Sequence, residues 1–306
     1  MDVRQLEAFL AVVDHGSFSA AARSLFTVQS NVSTHVARLE DEVGAPLIDR
    51  RTRQLTPAGR AVEARARAAL HEIASITDEI ASLQDRVIGD VQCGTTPSVG
   101  LWVLPETLAE ATRNFPEVAV TIVEAQSDAL IQQLLIGELD LAIATHIQTP
   151  DVHVDPLFDE DIIAVMNAEH RLATRDAVTL EQLAEETLLL PLPDNPLSGH
   201  IAQGFAAADV TWQAGLEVGS SALVSAMAAA GLGVALVPAT VVPQLPELHG
   251  VRRPIADLAP REVALTTRAG LDPSAATTVI GEIVARTARA AAETMPGCRP
   301  RASGNG

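Results

Sequence analysis

The sequence predicts an α/β protein in three parts: an N-terminal winged helix-turn-helix, a long linker helix, and a larger C-terminal α/β domain. Three observations predict it. Apolar residues recur at helical spacing through Leu6, Phe9, Leu10 and Val13 and again through Val32, Val36, Leu39 and Val43, and an Arg-bearing hairpin follows. A heptad seam then runs from Val62 to Val87. Beyond residue 90 short apolar runs alternate with helical stretches, the pattern of an α/β sheet.

In the head, the first helix spans about Asp2 to Asp14, and His15-Gly16 stops it because glycine supplies the left-handed conformation past a helix end. Ser17 or Ser19 caps the second helix, whose Ala20-Ala21-Ala22 run allows close packing. The turn Phe26-Thr27-Val28 leads into a third helix, from Gln29 or Ser30 to Val43. Its apolar stripe leaves Ser30, Thr34, Ala37 and Arg38 on the opposite face, flanked by Asn31, Ser33 and His35. The N-terminal residues of such a helix meet base edges in the major groove, where Gln29 and Asn31 suit adenine and hydroxyls suit phosphate or base. A solvated polar face is the bland alternative. The small, amide-rich N-terminus and the hairpin that follows argue against it. That hairpin, Leu47 to Thr56, carries Arg50, Arg51 and Arg53, fitting a wing on phosphates or in the minor groove. The expected DNA contacts are therefore Ser17, Gln29, Ser30, Asn31, Ser33, Thr34, Arg38, Arg50, Arg51 and Arg53.

Charge supports this weakly. The 306-residue chain has a net charge of −18, yet residues 1–60 are neutral and the acidity lies beyond them. No apolar run spans a bilayer, and Met1 to Arg4 lead into an amphipathic pattern without a secretory core, so a cytoplasmic location is expected. Cys93 and Cys298 give neither a disulfide framework nor metal-ligand spacing, so no cofactor or metal is expected.

From Arg60 to about Val87, the residues Val62, Ala66, Ala69, Ile73, Ile76, Ile80, Leu83 and Val87 alternate spacings of four and three. This seam predicts a homodimer through the linker helix, which would place two heads on two half-sites.

In the C-terminal part, strands are expected at Val91–Thr95, Val118–Val123, Leu139–Ala144, Ile162–Met166, Thr187–Leu192, Ala214–Val218 and Gly233–Val237, with helices at Ser98–Asn114 and Ser127–Gly137. Ligands of α/β sheets sit outside the C-terminal strand ends. The turns there carry Thr95, Thr96, Ser98, Ser127, Ser220 and Ser221. These are ordinary helix caps in one reading, and in the other three helix N-termini converging on a small anion. Asp194 either opposes an anion, welcomes an amine or serves only its turn, and His146 is a ligand contact or a plain loop residue.

Residues 1–60 resemble the LysR-type transcriptional regulators of bacteria. The match runs through Leu6, Phe9, Val13, Gly16-Ser17-Phe18, Ala21-Ala22, Leu25, Gln29-Ser30, Ser33, Leu39-Glu40, Gly44, Pro46-Leu47, Arg50 and Leu55-Thr56-Pro57-Ala58-Gly59. It continues more weakly through Gly137 to Ile143 and Gly231 to Pro238. Two positions depart from the family pattern: Thr34 stands where Arg is usual, which puts the DNA contact expected there in question, and Ile48 stands where Phe is usual, a core substitution.

The resemblance implies a two-lobed effector domain like a periplasmic binding protein, with chain crossings near 157–162 and 264–268. It also implies dimers of dimers, hence a homotetramer, on promoter DNA of inverted-repeat type. The implied domains are a head at 1–59, a linker at 60–88 and an effector domain at 89–293. Lobe I is expected at 89–160 plus 267–293 and lobe II at 161–266, with a disordered tail at 294–306.

The function expected is regulation of transcription by a small-molecule effector bound between the lobes. An α/β enzyme is the rival reading, weakened because Gly231-Leu232-Gly233 lacks a third glycine and no HExxH, P-loop or GxSxG occurs. A small-molecule binding protein without a DNA role leaves the head unexplained. A peroxide sensor needs a reactive cysteine pair, whereas Cys93 falls in an apolar strand.

Overall fold

The computed structural model describes residues 1–82, 86–145, 149–244, 250–270 and 272–302. The head opens with α1 (Val3–His15), entered through a capping box in which the Asp2 carboxylate accepts from the Gln5 amide at 2.9 Å and Gln5 reaches back to Asp2 N. Gly16 at φ 68° ends it. Ser17, not Ser19, caps α2 (Phe18–Ser24). Helix α3 (Gln29–Val43) buries Val32, Val36 and Leu39 against Leu6, Phe9, Leu10 and Val12 of α1.

The wing is a two-stranded turn closed by an Ile48–Leu55 bridge. Glu40 of α3 holds its root by accepting from Leu47 N at 2.8 Å, and Asp49 ties its tip by accepting from Arg51 N and Thr52 N, both at 2.8 Å. Helix α4 (Pro57–Ser82) starts where the Thr56 hydroxyl accepts from Gly59 N. Gly59 is required there, because a Cβ would stand 2.0 Å from the Leu47 carbonyl oxygen.

Helix α4 divides the expected seam. Ala66 is buried and Val62, Ala69 and Leu70 are half-buried on the head's own core, while Ile73, Ile76 and Ile80 stand exposed. Leu83 lies outside the described residues. Val87 does not continue the helix: residues 86–88 are not helical, and Val87 packs on the core of the first lobe. The seam ends earlier than its spacing suggests.

Next come β1 (Gly89–Thr95), α5 (Pro97–Asn114), β2 (Val118–Glu124), α6 (Ser127–Ile136), β3 (Leu141–Thr145) and β4 (Val152–Glu160). Across a crossing at Asp161 follow β5 (Ile162–Asn167), α7 (Leu180–Ala184), β6 (Leu188–Pro191), α8 (Pro196–Ala207), β7 (Ala214–Val218), α9 (Ser221–Ala229), β8 (Val234–Pro238) and β9 (Gly250–Pro254). The chain returns through β10 (Arg261–Arg268), α10 (Ala275–Thr294) and β11 (Cys298–Pro300). Two sheets result, ordered β11-β4-β10-β3-β1-β2 and β7-β6-β8-β5-β9.

Two expectations need correction. The second crossing falls at 255–260, not 264–268, because β10 lies wholly in the first sheet, antiparallel to β3 and β4 with Arg261 opposite Glu160. The segment after residue 293 is not a disordered tail as far as Ala302. Strand β11 pairs with β4, the Gly297 carbonyl accepts from Asp161 N at 2.7 Å, and Arg299 and Arg301 pair with Asp161 and Asp159.

Candidate functional site

Helix α3 presents the predicted reading edge. Gln29, Ser30, Asn31, Thr34 and Arg38 are exposed, and Ser33 is half-buried. The Gln29 amide oxygen accepts from the Ser19 hydroxyl at 3.0 Å, leaving its NH2 group unengaged among the described residues. Asn31 donates to the Thr27 hydroxyl at 3.0 Å, leaving its oxygen. The amides are thus held in place with their outward atoms available. Thr34 is spent differently, donating to the Ser30 carbonyl at 2.8 Å, and Ser17 is half-buried as the α2 cap with its hydroxyl proton still to give.

In the wing, Arg50 lies 3.4 Å from Glu40, and Arg51 and Arg53 are exposed without an ion pair among the described residues. Arg53 takes a left-handed φ of 61° that turns the tip. Backbone donors from Thr52 and Arg51 hold the Asp49 carboxyl below its ordinary range, so it stays charged beside these cations. Sequence reasoning missed Phe26, 98% exposed at φ 51° immediately before α3. Its signal was a large apolar residue in a turn that favours Gly or Asn.

Between the lobes lies a cavity of about 540 Å³. Thr96, Ser98, Ser127, Ser220 and Ser221 line it. The N-termini of α5, α6, α8 and α9 meet there, one more than sequence suggested. The Ser220 and Asn195 side chains cap their helices, but Thr96 and Gln126 make no such bond. Thr96 Oγ1 is buried without a hydrogen-bond partner. Ser127 shares a hydrogen bond of 2.8 Å with Thr145.

Thr95 and Asp194 are not on this wall. Thr95 is fully buried, its hydroxyl donating to the Thr96 carbonyl at 3.1 Å, and Asp194 is exposed in its turn while Asn195 takes the lining position. His146 lies outside the described residues.

Arg261 is among the lining residues that sequence did not reveal, with Glu124, Gln126, Thr145 and Asn195. Its Nε donates to Glu160 at 2.7 Å and its Nη2 to Ser98 Oγ at 3.3 Å. Glu160 is fully buried and also accepts from Thr240 N at 2.9 Å and Thr240 Oγ1 at 2.6 Å. A buried carboxylate is tolerable only when its lone pairs are met in this way. Residue 160 precedes the first crossing and Arg261 follows the second, so this cluster ties both crossings to the cleft.

Neither cysteine reaches the cavity. Cys93 is buried in β1, its thiol pushed up to about 12 by desolvation, and Cys298 is raised for the same reason. Four strand spacings separate them in the sheet order, roughly 19 Å at ~4.8 Å each.

Comparison with known proteins agrees with this architecture. Residues 3–60 match the family described as bacterial regulatory helix-turn-helix protein, lysR family, and residues 84–289 match the LysR substrate binding domain. A hydrogen peroxide-inducible genes activator of Pectobacterium carotovorum subsp. carotovorum is 34% identical, covering 82% of this chain and 84% of that one. The DNA-binding transcriptional dual regulator OxyR of Escherichia coli (strain K12) is 33% identical over 82% and 83%. A full-length OxyR variant from Pseudomonas aeruginosa superimposes with a TM-score of 0.75 at 25% identity, covering 100% of this chain and 98% of that one. The chain belongs to the LysR family of bacterial helix-turn-helix transcription regulators.

Proposed function

We propose that this regulator answers to a small organic acid, held reversibly between the lobes, and adjusts its grip on promoter DNA in response. The observation that carries this is the convergence of four helix N-termini on one cavity that also holds an unsatisfied, buried Thr96 hydroxyl. Helix N-termini present free N–H groups and a partial positive charge, which favour a carboxylate. The apolar body of the acid rests on Leu101, Leu197 and Val241, with Ser98, Ser127, Ser220 and Ser221 orienting its head. The Arg261 guanidinium already serves Glu160, so its part is steric and directional rather than that of an unpaired cation.

The head reads base edges with Gln29 and Asn31 while Arg38, Arg50, Arg51 and Arg53 meet phosphate. Two heads are carried by a homodimer whose linker helices meet through Ile73, Ile76 and Ile80, and two such dimers form a homotetramer on an inverted-repeat site. The chain acts in the cytoplasm and catalyses no reaction of its own. One of the named relatives is a hydrogen peroxide-inducible genes activator, but thiol-based sensing does not suit this chain. A thiolate is the reactive species, and burial disfavours it at both cysteines.

The test is a thermal-shift and calorimetric titration of the full chain against small carboxylic acids, with the matching amides and amines alongside. An acid at a hundred times its Kd stabilises the native form by about 2.7 kcal/mol, and Thr96→Val weakens that binding while leaving the unliganded melting point in place. Binding confined to amines overturns the anion reading. A peroxide-induced change of footprint abolished by Cys298→Ser overturns reversible binding.

A further inference from the structure

The linker helix touches the first lobe through polar contacts. His71 Nε2 of α4 lies 2.7 Å from Asp140 Oδ1, and Glu72 pairs with Arg268 at the end of β10. Ala68 sits over Gly137, where an added Cβ would stand 3.0 Å from the alanine methyl. Around these contacts is a cavity of about 450 Å³, walled by Leu10 of the head, Arg67 and His71 of the linker, and Gln133, Glu138 and Leu139 of the lobe. Head, linker and lobe therefore meet around open space, joined by ion pairs beside the close Ala68–Gly137 contact. A joint of that kind is sensitive to the loss of a single charge.

We propose that His71 and Asp140 form a proton-operated latch between linker helix and effector domain, closed while the imidazole is protonated and loosened when it is neutral. Asp140 is a rigid anchor. Its second carboxylate oxygen accepts from Gln92 N at 2.7 Å, and its own N–H donates to the Gln92 carbonyl at 2.9 Å, so it continues the β1–β3 pairing. His71 is the half-buried, movable partner.

The charged groups around the imidazole are mostly acidic. Asp140 and Glu138 face it from the turn before β3, Asp90 from β1 and Glu72 from its own helix. The neighbouring cations are committed elsewhere, Arg67 to Asp14 of α1 at 2.5 Å and to Glu63 at 2.9 Å, and Arg268 to Glu72. The hydrogen bond to Asp140 holds the proton on His71 above its ordinary range, against the opposing effect of burial. A raised histidine contributes fully below its unfolded value of about 6.5, and its contribution fades as pH rises through the folded value. The latch is thus shut in mildly acidic solution and slackens on the alkaline side. A neutral ring retains one N–H···O contact and loses the charge attraction.

Latch and cleft share a strand. Asp140 immediately precedes β3, and Thr145 at the far end of β3 lines the effector cavity. The latch itself is independent of which ligand the cavity takes, and it stands or falls without one.

Spin labels on Glu7→Cys in the head and Gln132→Cys in α6 report the distance across the joint. The full chain is used with Cys93 and Cys298 replaced by Ala, diluted with unlabelled protein so that only intrachain pairs are read. A narrow distribution at pH 5.5 should broaden and lengthen by pH 9, with its midpoint above the ordinary histidine value of about 6.5. His71→Gln should be broad at both ends. Asp140→Asn keeps an acceptor for Gln92 N, so it preserves the strand pairing, and it should move the midpoint down. An unchanged wild-type distribution across that range overturns the latch, as does a His71→Gln or Asp140→Asn protein that keeps the wild-type transition.

Discussion

In the head, the side chains assigned to function stand in water: Arg51 and Arg53 are exposed, and Gln29 and Asn31 keep their outward amide atoms available. In the cleft the arrangement is reversed. Ser127 is bound to Thr145, Ser98 accepts from Arg261, and Arg261 is committed to a fully buried Glu160. The difference follows from the partners. DNA arrives with its own dense charge and releases counterions, so exposed guanidiniums lose little in waiting for it. A small effector must be met by groups already oriented, which requires a rigid, internally bonded wall. The proposed DNA contacts therefore lie on the surface of the head, whereas the proposed effector contacts share one network with groups that hold the fold together.

The comparison breaks most readily at Glu160. Replacing it with Ala leaves Arg261 mostly buried and unpaired and removes the acceptor for Thr240, a loss of about 3–5 kcal/mol. In urea, the effector-region transition of the full chain should move to much lower denaturant while the transition of the head stays in place. A cost below about 1 kcal/mol, the range of an exposed pair, would show that network to be ornamental.

The linker carries the next effect. Ile76 is 60% exposed in the single chain, and burying one such side chain is worth about 1.5–3 kcal/mol. Ile76→Asp should convert the dimer to monomer at micromolar concentration in sedimentation, leaving the melting of head and effector domain in place. A dimer that persists would move the interface off the exposed half of α4.

How far these features were legible follows from the range of the interactions that make them. The head is built from contacts within its first seventy residues, and its stripes, caps and Gly16 and Gly44 stops are written in local spacing. The effector domain depends on register between distant strands. Strand β10 reads as an apolar alternation that suits either lobe, and its long-range register against β3 and β4 assigns it to the first. The C-terminal segment is rich in Gly, Pro and Arg, yet Arg299 and Arg301 find Asp161 and Asp159 more than 130 residues earlier. Val87 continued a heptad on paper but was claimed by the core of the first lobe. Thr96, Ser98 and Ser127 were legible as residues that start helices. Arg261 was not, because nothing local distinguishes it.

Within the head, base reading and phosphate grip should separate. Gln29→Ala or Asn31→Ala should cost about 1–3 kcal/mol on the preferred site and little on unrelated DNA. Arg53→Ala should weaken binding to every sequence and lower the salt slope by about one. Fluorescence anisotropy across a salt series, on cognate and scrambled duplexes, gives both quantities. Uniform loss from the amide variants would remove α3 from the major groove.

Phe26 gives the smallest effect and bears most directly on why the head keeps groups exposed. An L-residue in the left-handed region carries roughly 1–2 kcal/mol of strain that Asn relieves in part through its short polar side chain. At 98% exposure the ring has almost no packing to lose within the chain. Phe26→Asn should therefore raise the stability of the head by about 1 kcal/mol, read as a rise of several degrees in Tm. If the ring is retained for an external surface, as the amides and guanidiniums around it are, the same variant should bind promoter DNA or assemble on it less tightly. A head that gains stability and loses nothing on the promoter would leave Phe26 outside the rule that holds for its neighbours.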